Sequence, residues 1–296
     1  MTAPRAERWQ PDVSVVVPVR NRARLIDACV ASVLETGYPA DRLEVIVVDN
    51  ASTDETPEVL ARFGGRIRVV REAQRGPAAA RNAGLRAARG EVAAFTDSDC
   101  VVAADWVARL VAPLGDVAVG AAGGCIRARP DGNDIEHFGE RIHDHAKAIH
   151  HFRPAYVITM NLACPLALLR AIGGFDERLL RCEDVDLAYR IAQAGRTLAY
   201  VPDATVYHNN RRTLVSLMAE GWAHGFHAMK LARLHRAYQR RLAGTEPAAA
   251  PACARTAFSR TLDPRQERLY WLFFDGAKRA GKALGYLRAG KLHEAA

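Results

Sequence analysis

Residues 13–49 read VSVVVPVRNRARLIDACVASVLETGYPADRLEVIVVD. The stretch opens with a valine-rich run, passes through a helical pattern over 23–35, and closes with a second apolar run at 43–49. The same alternation continues with predicted strands at 66–70, 91–97 and 116–124, and with predicted helices at 55–63, 77–89 and 104–112. Short strands that alternate with ten-residue helices are typical of βαβ units around a mostly parallel sheet. We therefore predict an α/β fold with a nucleotide at the carboxyl ends of the strands.

The second half of the chain departs from this regular alternation. A polar segment at 137–151 holds five histidines without the i,i+4 pairing of a zinc helix, so we expect a solvated or acceptor-facing segment. Predicted elements resume with a strand and short helix in 155–176, a helix over 183–194 and a strand at 197–201. Two helical stripes at 214–242 and 264–289, joined by a Pro/Ala linker at 244–254, predict a C-terminal helical extension.

The composition is that of an ordinary globular chain. Its 296 residues are 49% hydrophobic and 25% charged, which excludes disorder and a disulfide scaffold. No segment approaches the ~18–20 apolar residues of a spanning helix, and the N-terminus lacks an apolar signal region. We expect a cytoplasmic protein, with peripheral contact at the inner face of the membrane as an added option. The six cysteines show no metal-type spacing and are expected to be reduced.

Charge is divided unevenly along the chain. Residues 1–204 carry 25 Lys and Arg against 27 Asp and Glu, whereas residues 205–296 carry 16 against 6. Basic helices with aromatic stripes predict three alternatives: a peripheral membrane contact, a homodimer contact, or packing on the chain's own catalytic domain. A basic nucleic-acid-binding protein is a further reading, but the charge avoids the βα body and no zinc-finger or RNA-binding motif is present. We expect no nucleic-acid partner.

The strongest chemical signal is AAFTDSDC at 93–100. Two carboxylates one residue apart on an extended chain, Asp97 and Asp99, point the same way. Hard oxygen ligands at a strand end suit Mg²⁺ or Mn²⁺ held against a diphosphate. Such triplets are also common in turns, so the motif gains weight only from its neighbours.

Those neighbours come in a set order. They are VSVVVPVRNR, VVDNASTD, ARNAGL, FTDSD, GGFDERL, EDVDLAYRIAQAG and VYH, spread over residues 12–212. This ordered set resembles the family 2 glycosyltransferases, which have the Rossmann-like A-type (GT-A) nucleotide-sugar transferase fold. The resemblance implies a catalytic domain over 12–212, with a nucleotide-sugar-binding half at 12–124 and an acceptor-binding half at 125–212. The basic helical extension then occupies 213–296.

The resemblance also implies site residues for a nucleoside-diphosphate sugar, with a UDP-sugar favoured. The implied donor contacts are Pro18, Arg20, Asn21, Asp49, Asn50, Arg81, Asp97, Ser98 and Arg211. The implied ligands of a Mn²⁺ or Mg²⁺ ion are Asp99, Asp97 and His208. Arg211 and its neighbour Arg212 also offer bidentate donors to a departing diphosphate.

The cluster RCEDVDLAYR at 181–190 places two acids in a first helical turn, where they also complement the helix dipole. In the family this pair supplies the general base, which the resemblance places on Asp184, with Glu183 as neighbour or alternative. The implied reaction is inverting transfer to a hydroxyl acceptor, which needs a group to take the hydroxyl proton. Asn161, in ITMNLACP (158–165), is a candidate acceptor contact. A sugar-phosphate nucleotidyltransferase is the alternative enzyme, but no Gly-rich phosphate loop follows the first strand.

Overall fold

The structure is a computed structural model that describes residues 9–242 and 258–291. Its centre is an eight-stranded sheet in the order β3-β2-β1-β4-β7-β6-β8-β5. The strands are β1 (Val13–Val19), β2 (Leu43–Asp49), β3 (Arg68–Arg71), β4 (Val92–Thr96), β5 (Cys100–Val102), β6 (Val119–Ala128), β7 (Asn161–Pro165) and β8 (Thr197–His208). The helices in the first half are α1 (Ile26–Leu34), α2 (Thr56–Ala61), α3 (Pro77–Ala87) and α4 (Trp106–Val111).

The remaining helices belong to the second half and the C-terminal part. They are α5 (Asp134–Ile142), α6 (His145–His150), α7 (Leu166–Ala171), α8 (Glu183–Gln193), α9 (Leu214–Leu234), α10 (Arg236–Leu242) and α11 (Pro264–Lys291). The predicted α/β fold with a C-terminal helical region is confirmed. The predicted linker at 244–254 lies outside the described residues.

The two halves of the sheet differ in strand direction. Strands β3, β2, β1 and β4 run parallel, as the βαβ pattern predicts. Strand β7 then pairs antiparallel with both β4 and β6, and β5 pairs antiparallel with β8. Strand β5 was not predicted, because three residues directly after the acidic motif are too few to show a period. The carboxyl ends of β1, β2 and β4 therefore share one edge with the end of β8.

Two apolar layers cover the sheet. Side chains of β1 alternate between them, so Val15 and Val17 pack beneath α1 and α4 while Val16 packs against α3. Close approach of α3 depends on Gly84, because a Cβ there would lie 2.3 Å from the Val16 side chain. The valine-rich strands are buried on both faces, which is why they read as continuous apolar runs.

Three of the five histidines in the histidine-rich segment are buried, so the segment is not a solvated stretch, whereas its acceptor-facing alternative stays a prediction. The segment forms α5 and α6, and the buried histidines are His137, His143 and His145. The Nε2 atom of His145 accepts from the Ile158 N–H at 2.9 Å, and its Nδ1 lies 3.0 Å from the Gly124 carbonyl oxygen. Burial lowers the pKa of His145 to about 3, so this histidine is a neutral structural residue.

The C-terminal helices pack on the rest of the protein. Phe138 of α5 joins Leu217 of α9 with Tyr270 and Phe274 of α11 in one apolar cluster. Helices α9 and α11 touch backbone to backbone, since a Cβ on Gly225 would lie 1.9 Å from the Lys278 carbonyl oxygen. The basic C-terminal helices therefore pack on the chain's own domain, which is one of the three predicted alternatives. The predicted membrane and homodimer contacts remain predictions. No helix within residues 9–242 and 258–291 meets the length and hydropathy required to span a membrane.

Candidate active site

The acidic motif lies in the turn between β4 and β5. Because β5 pairs with β8 in a register that sets Cys100 opposite His208, the end of β8 lies beside Asp99. The Nε2 atom of His208 is 3.5 Å from Asp99 Oδ1. Asn209 holds the same turn by donating from its backbone N–H and its side-chain amide to the Asp99 carbonyl oxygen, at 3.0 and 2.9 Å. Sheet pairing thus unites two predicted ligands that are far apart in sequence.

The hydrogen bonds around His208 determine which of its two ring nitrogens faces Asp99. Asn210 donates from Nδ2 to the Glu136 carbonyl oxygen at 2.8 Å, so its Oδ1 faces His208 Nδ1, 2.6 Å away. An amide oxygen can only accept, so His208 Nδ1 carries the proton. In the neutral ring the lone pair is then on Nε2, the atom nearest Asp99.

Asp99 and His208 also shift each other's pKa. Burial lowers the pKa of His208, but the Asp99 carboxylate outweighs this effect and raises the value to about 9. Burial raises the pKa of Asp99, yet His208 and Arg22 bring it below its ordinary value. Without an ion, His208 is therefore protonated at neutral pH and its Nε2 faces the Asp99 carboxylate. A divalent cation bound between the two side chains would replace that Nε2 proton.

Among residues 9–242 and 258–291, the one group with metal-ligand composition is Asp99, His208 and Cys100, whose candidate atoms lie within 4.8 Å of one another. Cys100 is 1% exposed, and burial raises the pKa of its thiol well above the ordinary range. A thiol that keeps its proton is a poor ligand for a hard cation. Asp97, which the resemblance also implied as a ligand, is not part of this group.

Asp97 contacts Arg81 instead. Arg81 donates from Nη2 to Asp97 Oδ1 at 2.8 Å and from Nη1 to Glu183 Oε1 at 2.6 Å. It is 3% exposed, so Arg81 is a buried residue of α3 and not part of a solvated helix face. Arg81 of α3 therefore ties the acidic motif after β4 to the start of α8. The implied contact of Arg81 with a nucleotide stays a prediction.

Helix α8 begins with the acidic pair Glu183 and Asp184. Cys182 precedes it with φ of 65°, a left-handed backbone that non-glycine residues adopt at a cost of about 1–3 kcal/mol. Burial, followed by repulsion from Glu183, raises the pKa of Asp184 to about 7. A carboxyl group with that pKa accepts a proton from a substrate hydroxyl near neutral pH.

The other implied donor residues lie along the ends of β1 and β2. Asp49 pairs in register with Val19, and its Oδ1 accepts from the Ser52 N–H at 3.1 Å. Asn21 accepts from the Thr53 N–H at 2.8 Å and has a φ of 52°. Pro18 is partly buried and Arg20 is exposed, whereas Ser98 lies in the turn after β4 and is buried. These residues line the sheet edge where a base and ribose are expected.

Two predicted contacts have structural roles in this molecule. Asn50 is 5% exposed, and its amide donates to the carbonyl oxygens of Glu72 and Gln74 and accepts from the Gly76 N–H. Both ends of this side chain thus hold the neighbouring backbone, and the implied donor contact of Asn50 stays a prediction.

Asn161 is the second case. It is fully buried, accepts from Trp106 Nε1 at 2.8 Å and donates to the carbonyl oxygens of Cys125 and Ala204. The prediction that Asn161 contacts an acceptor is therefore wrong. Its amide bonds stabilise the sheet where β6, β7 and β8 meet.

A cavity of about 770 Å³ joins these groups. Seven of the predicted site residues line it: Arg81, Asp97, Asp99, Glu183, Asp184, His208 and Arg211. Pro18, Arg20, Asn21, Asp49, Asn50 and Ser98 are not among its lining residues. The catalytic and metal candidates thus share one chamber, which reaches the end of β1 at Arg22.

The C-terminal helices contribute to this cavity, and sequence reasoning missed their part. Glu220 of α9 is 9% exposed and lies 3.5 Å from Arg211, 3.6 Å from His143 and 3.8 Å from His224. Burial raises the pKa of Glu220, but His143 and Arg211 bring it far below its usual range. A signal was present, because Glu220 is the sole acidic residue between 205 and 245, within an otherwise apolar and basic stretch.

Known proteins resemble the chain in sequence and in structure. The sequence model of glycosyl transferase family 2 matches residues 14–172. The chain is 34% identical over 235 residues to a pre-mycofactocin glycosyltransferase of Mycobacterium tuberculosis, covering 76% of this chain and 48% of that protein. It is 29% identical over 206 residues to the glycosyltransferase AglE of Haloferax volcanii, covering 68% of each. The chain thus spans about half the length of the mycobacterial relative.

A solved structure extends the likeness to three dimensions. The mannosyltransferase PcManGT from Pyrobaculum calidifontis, solved in complex with GDP-Man and Mn²⁺, aligns with a TM-score of 0.64 and 27% identity. The alignment covers 96% of this chain and 76% of that one. The matched residues make up more than half of the chain. They include the carboxyl ends of β1, β2 and β4 and the acidic motif. This protein is therefore a glycosyltransferase of family 2 with a GT-A fold.

Proposed function

We propose that the protein transfers a sugar, with inversion, from a nucleoside-diphosphate sugar to a hydroxyl-bearing acceptor, and that Asp184 is the general base. The observation that carries this proposal is the environment of Asp184. Its carboxyl group has a pKa of about 7 and shares one cavity with Asp99 and His208. A proton acceptor on one side and a cation-binding pair on the other is the arrangement that a one-step displacement needs.

In the proposed reaction the acceptor oxygen attacks the anomeric carbon and forms the new glycosidic bond. The bond from that carbon to the diphosphate oxygen breaks, and the electron pair leaves with the diphosphate. The acceptor proton passes to Asp184, which must be ionised beforehand. Arg81 lowers the pKa of Asp184 and opposes the effects of burial and Glu183, so the ion pairs of Arg81 help to keep the base available.

We assign Asp99 and His208 as the holders of a Mn²⁺ or Mg²⁺ ion. The support is the position of His208 Nε2, which lies 3.5 Å from Asp99 Oδ1 and whose orientation the Asn210 hydrogen bond holds, so that a cation could replace its proton. A divalent ion in such a site neutralises charge on a leaving diphosphate. Arg22, whose Nε lies 3.9 Å from Asp99 Oδ2, and Arg211 add positive charge at the same end of the cavity.

The donor nucleotide is proposed as uridine or guanosine diphosphate. The motif resemblance favours UDP, whereas the solved mannosyltransferase that this chain resembles was crystallised with GDP-Man. Asp49 and Asn21, at the ends of β1 and β2, are the proposed contacts for the base and ribose. The acceptor is proposed to enter between α6, the start of α8 and the C-terminal helices.

Thermal-shift and calorimetric titrations of the full chain with UDP, GDP and their sugars, with and without Mn²⁺, test the proposal. We expect one nucleotide family to bind, and to bind more tightly with the ion. Asp99→Asn should weaken that metal-dependent binding, whereas Asp184→Asn should leave it intact. If no nucleoside diphosphate binds with or without Mn²⁺, the proposed donor class is wrong.

A further inference from the structure

The cations of the active-site cavity fall into two groups. Arg22, Arg81 and Arg211 each have a carboxylate within 4.0 Å, and these three arginines lie with the acidic motif and Glu220. Arg141 is likewise paired with Glu267 at 2.9 Å. Each of these four guanidinium groups is thus at least partly neutralised by the protein itself.

The second group consists of Lys147, Arg181 and Lys278. They come from α6, the residue before Cys182, and α11, three elements far apart in sequence that meet at the cavity. Within the described residues, none of the three has a carboxylate at ion-pair distance. Lys278 lies 5.7 Å above the Phe274 ring, a contact that leaves its charge uncompensated.

Lys147 and Lys278 are close enough to affect each other, and Arg181 and Lys278 both act on His224. Burial lowers the pKa of Lys278, and Lys282 and Lys147 lower it further, while Asp275 opposes them. Burial lowers the pKa of His224, and Arg181 and Lys278 add to that effect despite the opposing Glu220. Holding like charges together costs free energy, which a bound anion would recover.

The carboxylates near this group do not neutralise it. Glu220 is engaged by His143, Arg211 and His224, and Glu183 by Arg81. Asp184 has a pKa of about 7 and carries at most part of a charge at neutral pH. Asp144 also lines the cavity, but it accepts from the backbone N–H of Lys147 at 3.0 Å as the N-cap of α6, and it forms no ion pair with the Lys147 ammonium. Asp275 raises the pKa of Lys278, against Lys282 and Lys147, which lower it.

We propose that the acceptor carries a phosphate group and that Lys147, Arg181 and Lys278 bind this phosphate in the active-site cavity. A phosphate presents three oxygens and up to two negative charges, which matches three cations on three elements better than a carboxylate does. The group lies on the acceptor side, since Arg181 is three residues from Asp184 and Lys278 belongs to the C-terminal helices. This assignment rests on the proposed glycosyl transfer and specifies its acceptor.

The test measures binding to the full chain already saturated with Mn²⁺ and whichever of UDP or GDP binds. Saturation occupies the donor's phosphate sites, so a probe must find a second site. The probes are glycerol 3-phosphate, the carboxylate glycerate and neutral glycerol, titrated calorimetrically. We expect glycerol 3-phosphate to bind measurably more tightly than either of the other two.

Charge-removing variants identify the residues that bind the probe. Lys278→Gln and the exposed Lys147→Gln should each weaken glycerol 3-phosphate binding about tenfold or more, the scale of one charge-assisted hydrogen bond. Arg279→Gln removes the same charge from the adjacent, exposed position on α11 and should change nothing. Lys278→Arg keeps the charge and should keep the binding, which separates loss of charge from loss of folding.

Vesicles distinguish the two sources of such a phosphate. Phosphatidylcholine vesicles with phosphatidic acid, compared with phosphatidylcholine alone, present the phosphate on a lipid. Sedimentation that depends on Lys278 but not on Arg279 supports a lipid-borne acceptor. Binding of glycerol 3-phosphate without such sedimentation supports a soluble phosphate ester.

Three results would overturn the proposal. One is equal binding of glycerol 3-phosphate and glycerate, and another is binding that is unaffected by Lys147→Gln and Lys278→Gln. The third is binding of glycerol 3-phosphate to the nucleotide-free chain that disappears once the chain is saturated with UDP or GDP, which would assign the three cations to the donor. Failure of nucleotide binding in the first step refutes the donor proposal instead, so the two proposals fail separately.

Discussion

Asn210 Oδ1 accepts a hydrogen bond from Nδ1 of His208 across 2.6 Å, and so leaves Nε2 as the ring nitrogen that faces Asp99. The Asn210 amide is itself held, because its Nδ2 donates to the Glu136 carbonyl oxygen at 2.8 Å. Asn210, two positions after the end of β8, thus determines which ring nitrogen of His208 faces the proposed cation site. In many proteins, a hydrogen bond to the other ring nitrogen orients a metal-binding histidine in this way.

The first prediction concerns this hydrogen bond. Asn210→Leu removes the acceptor and should weaken Mn²⁺-dependent nucleotide binding about 10–100-fold, the usual effect of losing such a partner. Calorimetry with and without Mn²⁺ measures the change. Asn209→Ala is the matched neighbour, since Asn209 holds the Asp99 carbonyl oxygen rather than the His208 ring. Equal metal-dependent affinity in wild type and Asn210→Leu would contradict the assigned orientation.

The second prediction concerns Asp184 and pH. The proposed base acts only when ionised, and its pKa is about 7. The transfer rate should therefore rise with pH, bend near pH 7 and fall about tenfold per pH unit below it. Asp184→Asn should lose on the order of 10²–10⁴ in rate and abolish this bend while donor binding persists. If Glu183→Gln shows this pattern and Asp184→Asn does not, Glu183 is the base.

Stability provides an independent readout of the same group. A carboxyl group whose pKa is raised in the folded state favours folding when protonated, so stability declines as pH rises from about 4 toward 7. Asp184→Asn removes that buried charge. Its melting temperature should equal or exceed that of wild type at pH 8, with a smaller difference at pH 5. A large destabilisation at pH 8 would show that the carboxylate is needed for the fold.

The third prediction concerns the Arg81 ion pairs with Asp97 and Glu183. Arg81→Gln leaves two carboxylates without their cation and should cost about 3–5 kcal/mol in the free energy of unfolding. Arg86→Gln, on the same helix, removes an exposed pair with Glu72 and should cost less than about 1 kcal/mol. Urea denaturation of the two variants measures the contrast.

The variant Arg81→Lys keeps a positive charge at position 81 and tests the role of Arg81 in the pKa of Asp184. Because Arg81 lowers that pKa, a shorter and single-pronged cation should move the bend in the rate profile to higher pH. An unchanged bend would show that Arg81 serves the fold alone.

The fourth prediction concerns the contact between α9 and α11. A Cβ on Gly225 would lie 1.9 Å from the Lys278 carbonyl oxygen, and one on Gly281 would lie 2.1 Å from that of Trp222. Gly225→Val should separate the helices and lower the melting temperature, whereas Gly276→Ala, on an open face of α11, should not. If Gly225→Val melts as wild type does, the helices do not pack in this way.

The valine-rich runs and the helices between them could be predicted because local periodicity carries that information. Strand β2 and helix α3 begin where the pattern put them, since an apolar run and a Gly-Pro start are local signals. The sequence motifs likewise determined the family and the nomination of Asp97, Asp99 and Asp184. Asp97 and Asp99 follow a strand, and Asp184 lies in the first turn of a helix. Such positions can be recognised from the order of elements along the chain, without any knowledge of contacts.

Only the tertiary structure decided which partner each residue meets. Antiparallel pairing of β5 with β8 places His208 against Asp99 and leaves Asp97 to Arg81, a choice that depends on register across more than a hundred residues. The burial of Asn50 and Asn161, and the arrival of Glu220 and Lys278 at the cavity, depend on how distant helices pack. Periodicity reports the face of an element but not its neighbour, because contact between remote segments is settled by three-dimensional burial and hydrogen bonding rather than by local propensity.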